Sequence, residues 1–106
     1  MSGTRTRETK RAIEDLRIAT EQLHKCRAAH RKSVSIRQEF QEQVAWKGTV
    51  EDFRVDHPET DTCYAWSAPI EGSDRRKFYA VLKIPPVETA ADAVRAAIVS
   101  DYRNDC

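Results

Sequence analysis

Apolar residues recur with alternating four- and three-residue spacing through the first part of the chain. This heptad-like seam consists of Ala12, Leu16, Ala19, Leu23 and Cys26, and it returns at Phe40 and Val44. Between Gly3 and Gly48 there is no glycine or proline, and good helix formers dominate. The spacing predicts one long helix over residues 6–43. Its weak point is at residues 33–35, where serine and β-branched side chains disfavour a helix and could break it.

After Trp46 the pattern changes, and apolar and polar side chains alternate. Such alternation is typical of half-buried strands. It predicts three strands, at residues 48–55, 63–67 and 76–84, separated by turn-forming segments at 56–61 and 71–74. In the second strand Tyr64 and Trp66 share one face, opposite Cys63 and Ala65. Either face is apolar enough to be the buried one.

The end of the chain shows helical spacing again, with apolar residues from Ala90 to Tyr102. Thr89 is a good N-cap, and Asp92 stands three residues later, where it can complement that cap. We therefore expect a helix over residues 90–103. The three patterns together predict an α+β fold, with a long N-terminal helix, a three-stranded antiparallel meander and a C-terminal helix packed on the sheet.

The predicted first helix is too long for the rest of the molecule. A helix of about 38 residues spans ~57 Å, whereas a body of about 60 residues is only ~25–30 Å across. The helix must break, project or pair with another chain, and its seam favours a homodimeric coiled coil. We expect a flexible basic tail at 1–8, a long charged helix at 9–44 for dimerisation or partner binding, and a β-β-β-α domain at 45–106.

The charges of the chain are unevenly distributed. The net charge is only +1, but residues 1–37 carry ten basic and four acidic residues, a net charge of +6. Residues 38–106 carry eight basic and thirteen acidic residues, a net charge of −5. A basic arm on an acidic body can meet an acidic protein, a nucleic acid or the acidic face of a second copy.

Two sets of residues follow as candidates for binding. The partner-binding set combines basic residues of the predicted helix with aromatic residues of the sheet: Arg27, Arg31, Lys32, Arg37, Trp46, Tyr64 and Trp66. The alternative, nucleic-acid-binding set contains Lys25, Arg27, Arg31, Lys32, Arg75, Arg76 and Lys77. Both have a structural alternative, in which the basic residues form a solvated helix face and the aromatic residues fill the core of a small sheet.

Histidine and cysteine offer little chemistry. On a helix, Cys26 and His30 would lie one turn apart, and two such pairs across a dimer could bind zinc; a seam thiol beside a solvated histidine is the simpler interpretation. His57 stands beside acidic residues in a turn, yet no nucleophile, phosphate-binding loop or metal motif accompanies it. We therefore expect no catalytic residue, no metal and no cofactor.

Composition indicates a cytoplasmic protein. The chain has 106 residues, of which 40% are hydrophobic and 33% charged, and its mean hydropathy is −0.70. No segment approaches the roughly 20 apolar residues of a membrane helix. The N-terminus leads into charged residues, which disfavours a secretory signal. Three cysteines with no regular spacing indicate reduced thiols.

The predicted element order α-β-β-β-α is similar to that of double-stranded RNA-binding domains, over residues 30–103. In that family a lysine-rich start to the last helix binds phosphates. Here the corresponding residues 88–92 include two acidic residues and no lysine. The resemblance therefore concerns topology, and it implies no RNA binding by this helix.

These observations favour a non-enzymatic protein–protein interaction module. A small protein without catalytic motifs could act as an inhibitor or adaptor of a larger complex, for example as a mobile-element inhibitor of a host system. The alternative is a nucleic-acid-binding protein that uses the basic N-terminal helix.

Overall fold

The computed structural model describes the backbone of residues 3–105 and the side chains of residues 9–103. The elements are α1 (Gly3–His24), β1 (Ala28–Phe40), β2 (Gln43–Val55), β3 (Thr62–Pro69), β4 (Arg76–Leu82) and α2 (Ala90–Asp105). The strands form one antiparallel sheet in the order β1-β2-β3-β4. The α+β class, the terminal helices and the antiparallel sheet are thus confirmed, but the prediction of three strands is wrong because the sheet has four.

The extra strand comes from the segment predicted as helix. α1 ends at His24, and Lys25 takes a left-handed φ of 53° that turns the chain away from the helix axis. From Ala28 the chain forms a strand, so the prediction of one helix across residues 6–43 or 9–44 is wrong. Residues 33–35 lie in the middle of β1, where the ladder with β2 outweighs the helix propensity of the surrounding side chains.

A tight turn joins β1 to β2. Phe40 pairs with Gln43, and the two residues between them, Gln41 and Glu42, have φ values of 54° and 65°. Two consecutive left-handed residues match the twist of an antiparallel hairpin, a position where asparagine and glycine are usual. The turn therefore forms without the residue types by which a hairpin is recognised in a sequence.

Each face of the sheet is covered by one helix. On the first face, Leu16 of α1 is buried with Ala28, Phe53, Val55, Cys63 and Ala65. On the second face, Ala90, Ala93 and Val94 of α2 are buried with Val50, Tyr64, Trp66 and Val87. Both faces of β3 are consequently core, which explains why the sequence pattern favoured neither. The part of α1 that lies in this core is not available as a coiled-coil seam.

The start of α2 follows the predicted cap. The Thr89 hydroxyl oxygen accepts a hydrogen bond from the Asp92 amide at 3.1 Å, and Asp92 Oδ2 accepts one from the Thr89 amide at 3.2 Å. This reciprocal pair is a capping box, so the prediction is confirmed. In the described part of the chain, no helix is both long enough and apolar enough to cross a bilayer.

The sheet is divided at its centre. β2 and β3 pair over only four residues each, 51–54 with 62–65. In contrast, the β1–β2 ladder continues to its turn, and β3 stays paired with β4 as far as Pro69. Residues 43–50 of β2 and 66–69 of β3 therefore leave each other unpaired. We call this divergence the fork.

Candidate interaction surfaces

The basic residues predicted on a helix lie instead along one side of the sheet. Residues 25–37 contain five Lys or Arg and no acidic residue, whereas residues 3–24 carry five basic and four acidic residues. Most of the positive charge of the N-terminal third thus belongs to β1 and the loop before it. β1 has a strand neighbour on one side only. We call this surface the basic edge; it comprises Lys25, Arg27, Arg31, Lys32 and Arg37.

Two members of the basic edge are already paired. Arg31 donates from Nε and Nη2 to Asp52 Oδ1 at 3.0 and 2.9 Å, and from Nη2 to Thr62 Oγ1 at 2.6 Å. Arg37 lies 3.6 Å from the Glu39 carboxylate, and both of these side chains are mostly exposed. Among described side chains, Lys25, Arg27 and Lys32 make no ion pair. An anionic ligand could therefore bind these three cations without breaking an existing ion pair.

The aromatic candidates form a row under α2. The Trp46 and Trp66 rings lie 6.2 Å apart, and Trp66 stacks on Tyr79 at 5.1 Å with an interplanar angle of 7°. Trp66 and Tyr64 are buried in the core below α2, as the structural alternative expected. Trp46 is only half-buried, at the fork. Of the three aromatic partner-binding candidates, Trp46 is thus the one with an accessible ring.

The aromatic row ends in a polar contact at the opposite edge. The Tyr79 hydroxyl donates to Asp101 Oδ2 at 2.5 Å, and Lys77 Nζ lies 4.9 Å from the centre of the Tyr79 ring. Burial and the hydrogen bond to Asp101 raise the pKa of Tyr79. Arg76 donates to Ser67 Oγ at 2.8 Å. The β4 members of the nucleic-acid set therefore lie across the full width of the sheet from the basic edge.

The fork opens into a cleft of about 790 Å³ beneath the N-terminal part of α1. We call it the fork cleft. Its walls come from α1, β1, both strands of the fork and the start of β4: Thr9, Ala12, Leu16, Ser33, Val44, Ala45, Trp46, Lys47, Gly48, Thr49, Glu51, Ser67, Ala68, Pro69 and Arg76. Several of these are alanine or glycine, which leaves room between the strands.

A buried carboxylate lies in this cleft. The Glu51 side chain is 8% exposed, and its Oε1 accepts hydrogen bonds from His30 Nε2 at 2.7 Å and from the Ser33 hydroxyl. Serine and histidine therefore bind the same carboxylate oxygen, and the histidine makes no hydrogen bond to the serine. That geometry is not a nucleophile activated by a general base.

The next residue, Asp52, is a second buried carboxylate on the opposite face of the strand. Its side chain is also 8% exposed, but its partner is the guanidinium of Arg31. Sequence reasoning identified Arg31 and missed Ser33, Glu51 and Asp52. The available signal was the pair of acidic residues between Val50 and Phe53, in the middle of an apolar strand.

The cysteine and histidine candidates are separated by the fold. Cys26 lies in the loop after α1, and His30 lies in β1, so the helical spacing assumed for zinc binding does not exist. The described residues contain no group of three or more metal-ligating side chains. His57 Nδ1 accepts a hydrogen bond from the Glu59 amide at 3.1 Å, as expected for a histidine that stabilises its own turn. Burial raises the pKa of Cys63 to about 12.

No protein family, curated protein or solved structure matches this chain. The observed order α-β-β-β-β-α also has one strand more than the predicted order that resembles double-stranded RNA-binding domains.

Proposed function

We propose that this chain is a non-enzymatic protein-interaction module that binds an extended, acidic segment of a partner along the basic edge. The observation that carries the proposal is the position of β1, a strand of 13 residues at the edge of the sheet. The strand and the loop before it include residues 25–37, which contain five Lys or Arg and no acidic residue. An inhibitor or adaptor of a larger complex would use such a surface.

An open strand edge is a template for another strand. The outward backbone groups of an edge strand can pair with an extended peptide, while side chains on alternate positions provide specificity. At ~3.3 Å per residue, the twelve steps from Ala28 to Phe40 give an edge of at most ~40 Å. The positive charge of Lys25, Arg27 and Lys32 is complementary to an acidic segment and would speed its association.

One feature supports binding rather than catalysis: His30 and Ser33 both donate to the same oxygen of Glu51. The homodimer expected from a coiled coil would need another surface, because Leu16 of the predicted seam is buried against the sheet.

Selection from a library of displayed ten-residue peptides tests the proposal. We expect enrichment of extended acidic sequences, and we expect the double variant Arg27→Glu/Lys32→Glu to weaken their binding by tenfold or more. The matched control is Arg95→Glu/Arg103→Glu, which makes the same charge change at exposed positions of α2. Absence of acidic peptides, or an equal loss in both double variants, would contradict the proposal.

Nucleic-acid binding is the second candidate function, favoured by the absence of any acidic residue within residues 25–37. Fluorescence anisotropy with labelled duplex and single-stranded DNA and RNA separates it from the first. Contact with about six phosphates would reduce affinity by ~10³-fold between roughly 50 and 200 mM salt. Arg27 and Lys32 are better positions to substitute than Arg31, because the loss of Arg31 would also leave the Asp52 carboxylate unpaired.

A further inference from the structure

The buried carboxylate of Glu51 is not paired with a lysine or an arginine among the described side chains. Its two partners are His30, at 2.7 Å, and the Ser33 hydroxyl. Buried carboxylates are ordinarily paired with a cation, because removal of an isolated charge from water is costly. Glu51 is instead turned toward an open cleft, where a cation from outside could reach it.

The fork cleft is large enough for a small molecule and has apolar side chains in its lining. A volume of about 790 Å³ lies within the range of small-molecule sites. The Trp46 ring lies against Gly48, where a Cβ atom would come within 2.7 Å of the ring. Glycine at this position therefore leaves room for the indole, and Ala45, Trp46 and Ala68 contribute apolar lining to the cleft.

Two basic residues at the cleft restrict the charge of that occupant. Lys47 and Arg76 both line it, on β2 and β4 respectively. Arg76 is held by Ser67, through Nε to the hydroxyl and through Nη2 to the carbonyl oxygen at 3.1 Å. A polycation would be repelled by these residues, whereas a molecule with one cationic and one anionic end matches both charges.

We propose that the fork cleft binds a short zwitterionic molecule of the peptide class, with an ammonium or guanidinium group at Glu51 and a carboxylate toward Lys47 and Arg76. Since Oε1 of Glu51 already accepts hydrogen bonds from His30 and Ser33, the cationic group would pair with Oε2 through a charge-assisted hydrogen bond. This site is separate from the basic edge and does not depend on the proposed function.

Isothermal titration with defined tripeptides tests this site. The probe is an N-acetylated tripeptide with one arginine and a free C-terminal carboxylate. One control replaces arginine by citrulline, which keeps the shape and removes the charge; the other is the C-terminal amide. We expect saturable one-to-one binding of the probe, at least tenfold weaker binding of the citrulline peptide and a several-fold weaker binding of the amide. Equal binding of probe and citrulline peptide would overturn the proposal.

Protein variants locate the binding. Glu51→Gln should weaken binding of the probe by tenfold or more. Asp52→Asn makes the same chemical change on the opposite face of β2 and should leave the affinity for the probe unchanged. Circular dichroism establishes that both variants are folded. If Glu51→Gln does not fold, Ala12→Trp, at an exposed position of α1 that lines the cleft, is compared with Ala96→Trp on the exposed side of α2. Unchanged binding in Glu51→Gln or in Ala12→Trp would exclude the fork cleft as the site.

Discussion

Glu51 and Asp52 are adjacent on β2 and equally buried, yet their environments differ in kind. Asp52, on the face covered by α2, is neutralised by the Arg31 guanidinium. Glu51, on the face covered by α1, has a histidine and a serine as partners and lies at an open cleft. Since burial alone is the same, the difference lies in the counter-ion. It distinguishes a carboxylate satisfied within the fold from one that can still accept a ligand.

The largest effect is expected from removal of the Asp52 counter-ion. Arg31→Met leaves a buried carboxylate without its cation, and we expect a loss of about 2–3 kcal/mol in the free energy of unfolding. The value is below that of a fully buried pair because the Arg31 side chain is 37% exposed. Urea denaturation near neutral pH measures it, with Arg95→Met on the exposed side of α2 as control. A loss below about 0.5 kcal/mol would show that Asp52 is not held as described.

Thiol reactivity tests whether α1 excludes solvent from the part of the sheet face that lies outside the fork cleft. Cys63 is fully buried on this face, and burial raises its pKa to about 12. Cys26 is partly exposed. We expect iodoacetamide at pH 8 to modify Cys63 at least ~100-fold more slowly than Cys26, as measured by mass spectrometry of the digested protein. In urea the two rates should converge. Similar rates in the native protein would mean that α1 does not seal the sheet.

A smaller effect on stability is expected for Glu51→Gln. The amide oxygen can still accept hydrogen bonds from Ser33 and His30, so we expect a loss of about 1 kcal/mol or less in the free energy of unfolding. The same urea experiment compares it directly with Arg31→Met. A loss as large as that of Arg31→Met would remove the distinction between the two carboxylates and would indicate that the charge of Glu51 stabilises the fold.

The smallest effect is expected for the exposed ion pair of β1. Arg37 and Glu39 lie 3.6 Å apart, and their side chains are 59% and 61% exposed. Water screens such pairs, so Arg37→Gln should change the free energy of unfolding by no more than about 0.5 kcal/mol. A larger loss would mean that exposure is a poor guide to the strength of ion pairs in this strand.

The elements that the sequence predicted correctly are those whose ends are marked by turn-forming or capping residues. Turn residues bound β3 and β4, and α2 begins at a capping box, so periodicity and boundaries agreed. β1 had neither advantage. It contains no glycine or proline and continues the helical pattern of α1, and its boundaries use left-handed Lys25, Gln41 and Glu42 where glycine or asparagine would be usual. Its period-2 alternation at Val34, Ile36 and Phe40 was present but was outweighed by composition.

The candidate site was predictable only in part. Basic residues of the first third were recognised as a binding surface, but their location on a strand edge depends on the β1–β2 pairing, which is a long-range property. The Glu51 cluster brings together residues up to 21 positions apart across that same ladder. Without the strand, His30 and Ser33 had no reason to meet a glutamate. One missed strand thus concealed both surfaces.

The four-pair ladder between β2 and β3 also determines how opening should spread through the native protein. Each hairpin is held along its own length, whereas the backbone ladder between the hairpins is limited to residues 51–54 and 62–65. Across the fork the hairpins are joined by side-chain packing without a ladder, so we expect the fork to be a boundary between two cooperative units. We expect backbone amides of residues 43–50 to exchange with deuterium through local opening, and those of 51–54 only through opening of the whole sheet. The molecule would then unfold as two hairpins that separate from the fork toward the shared ladder.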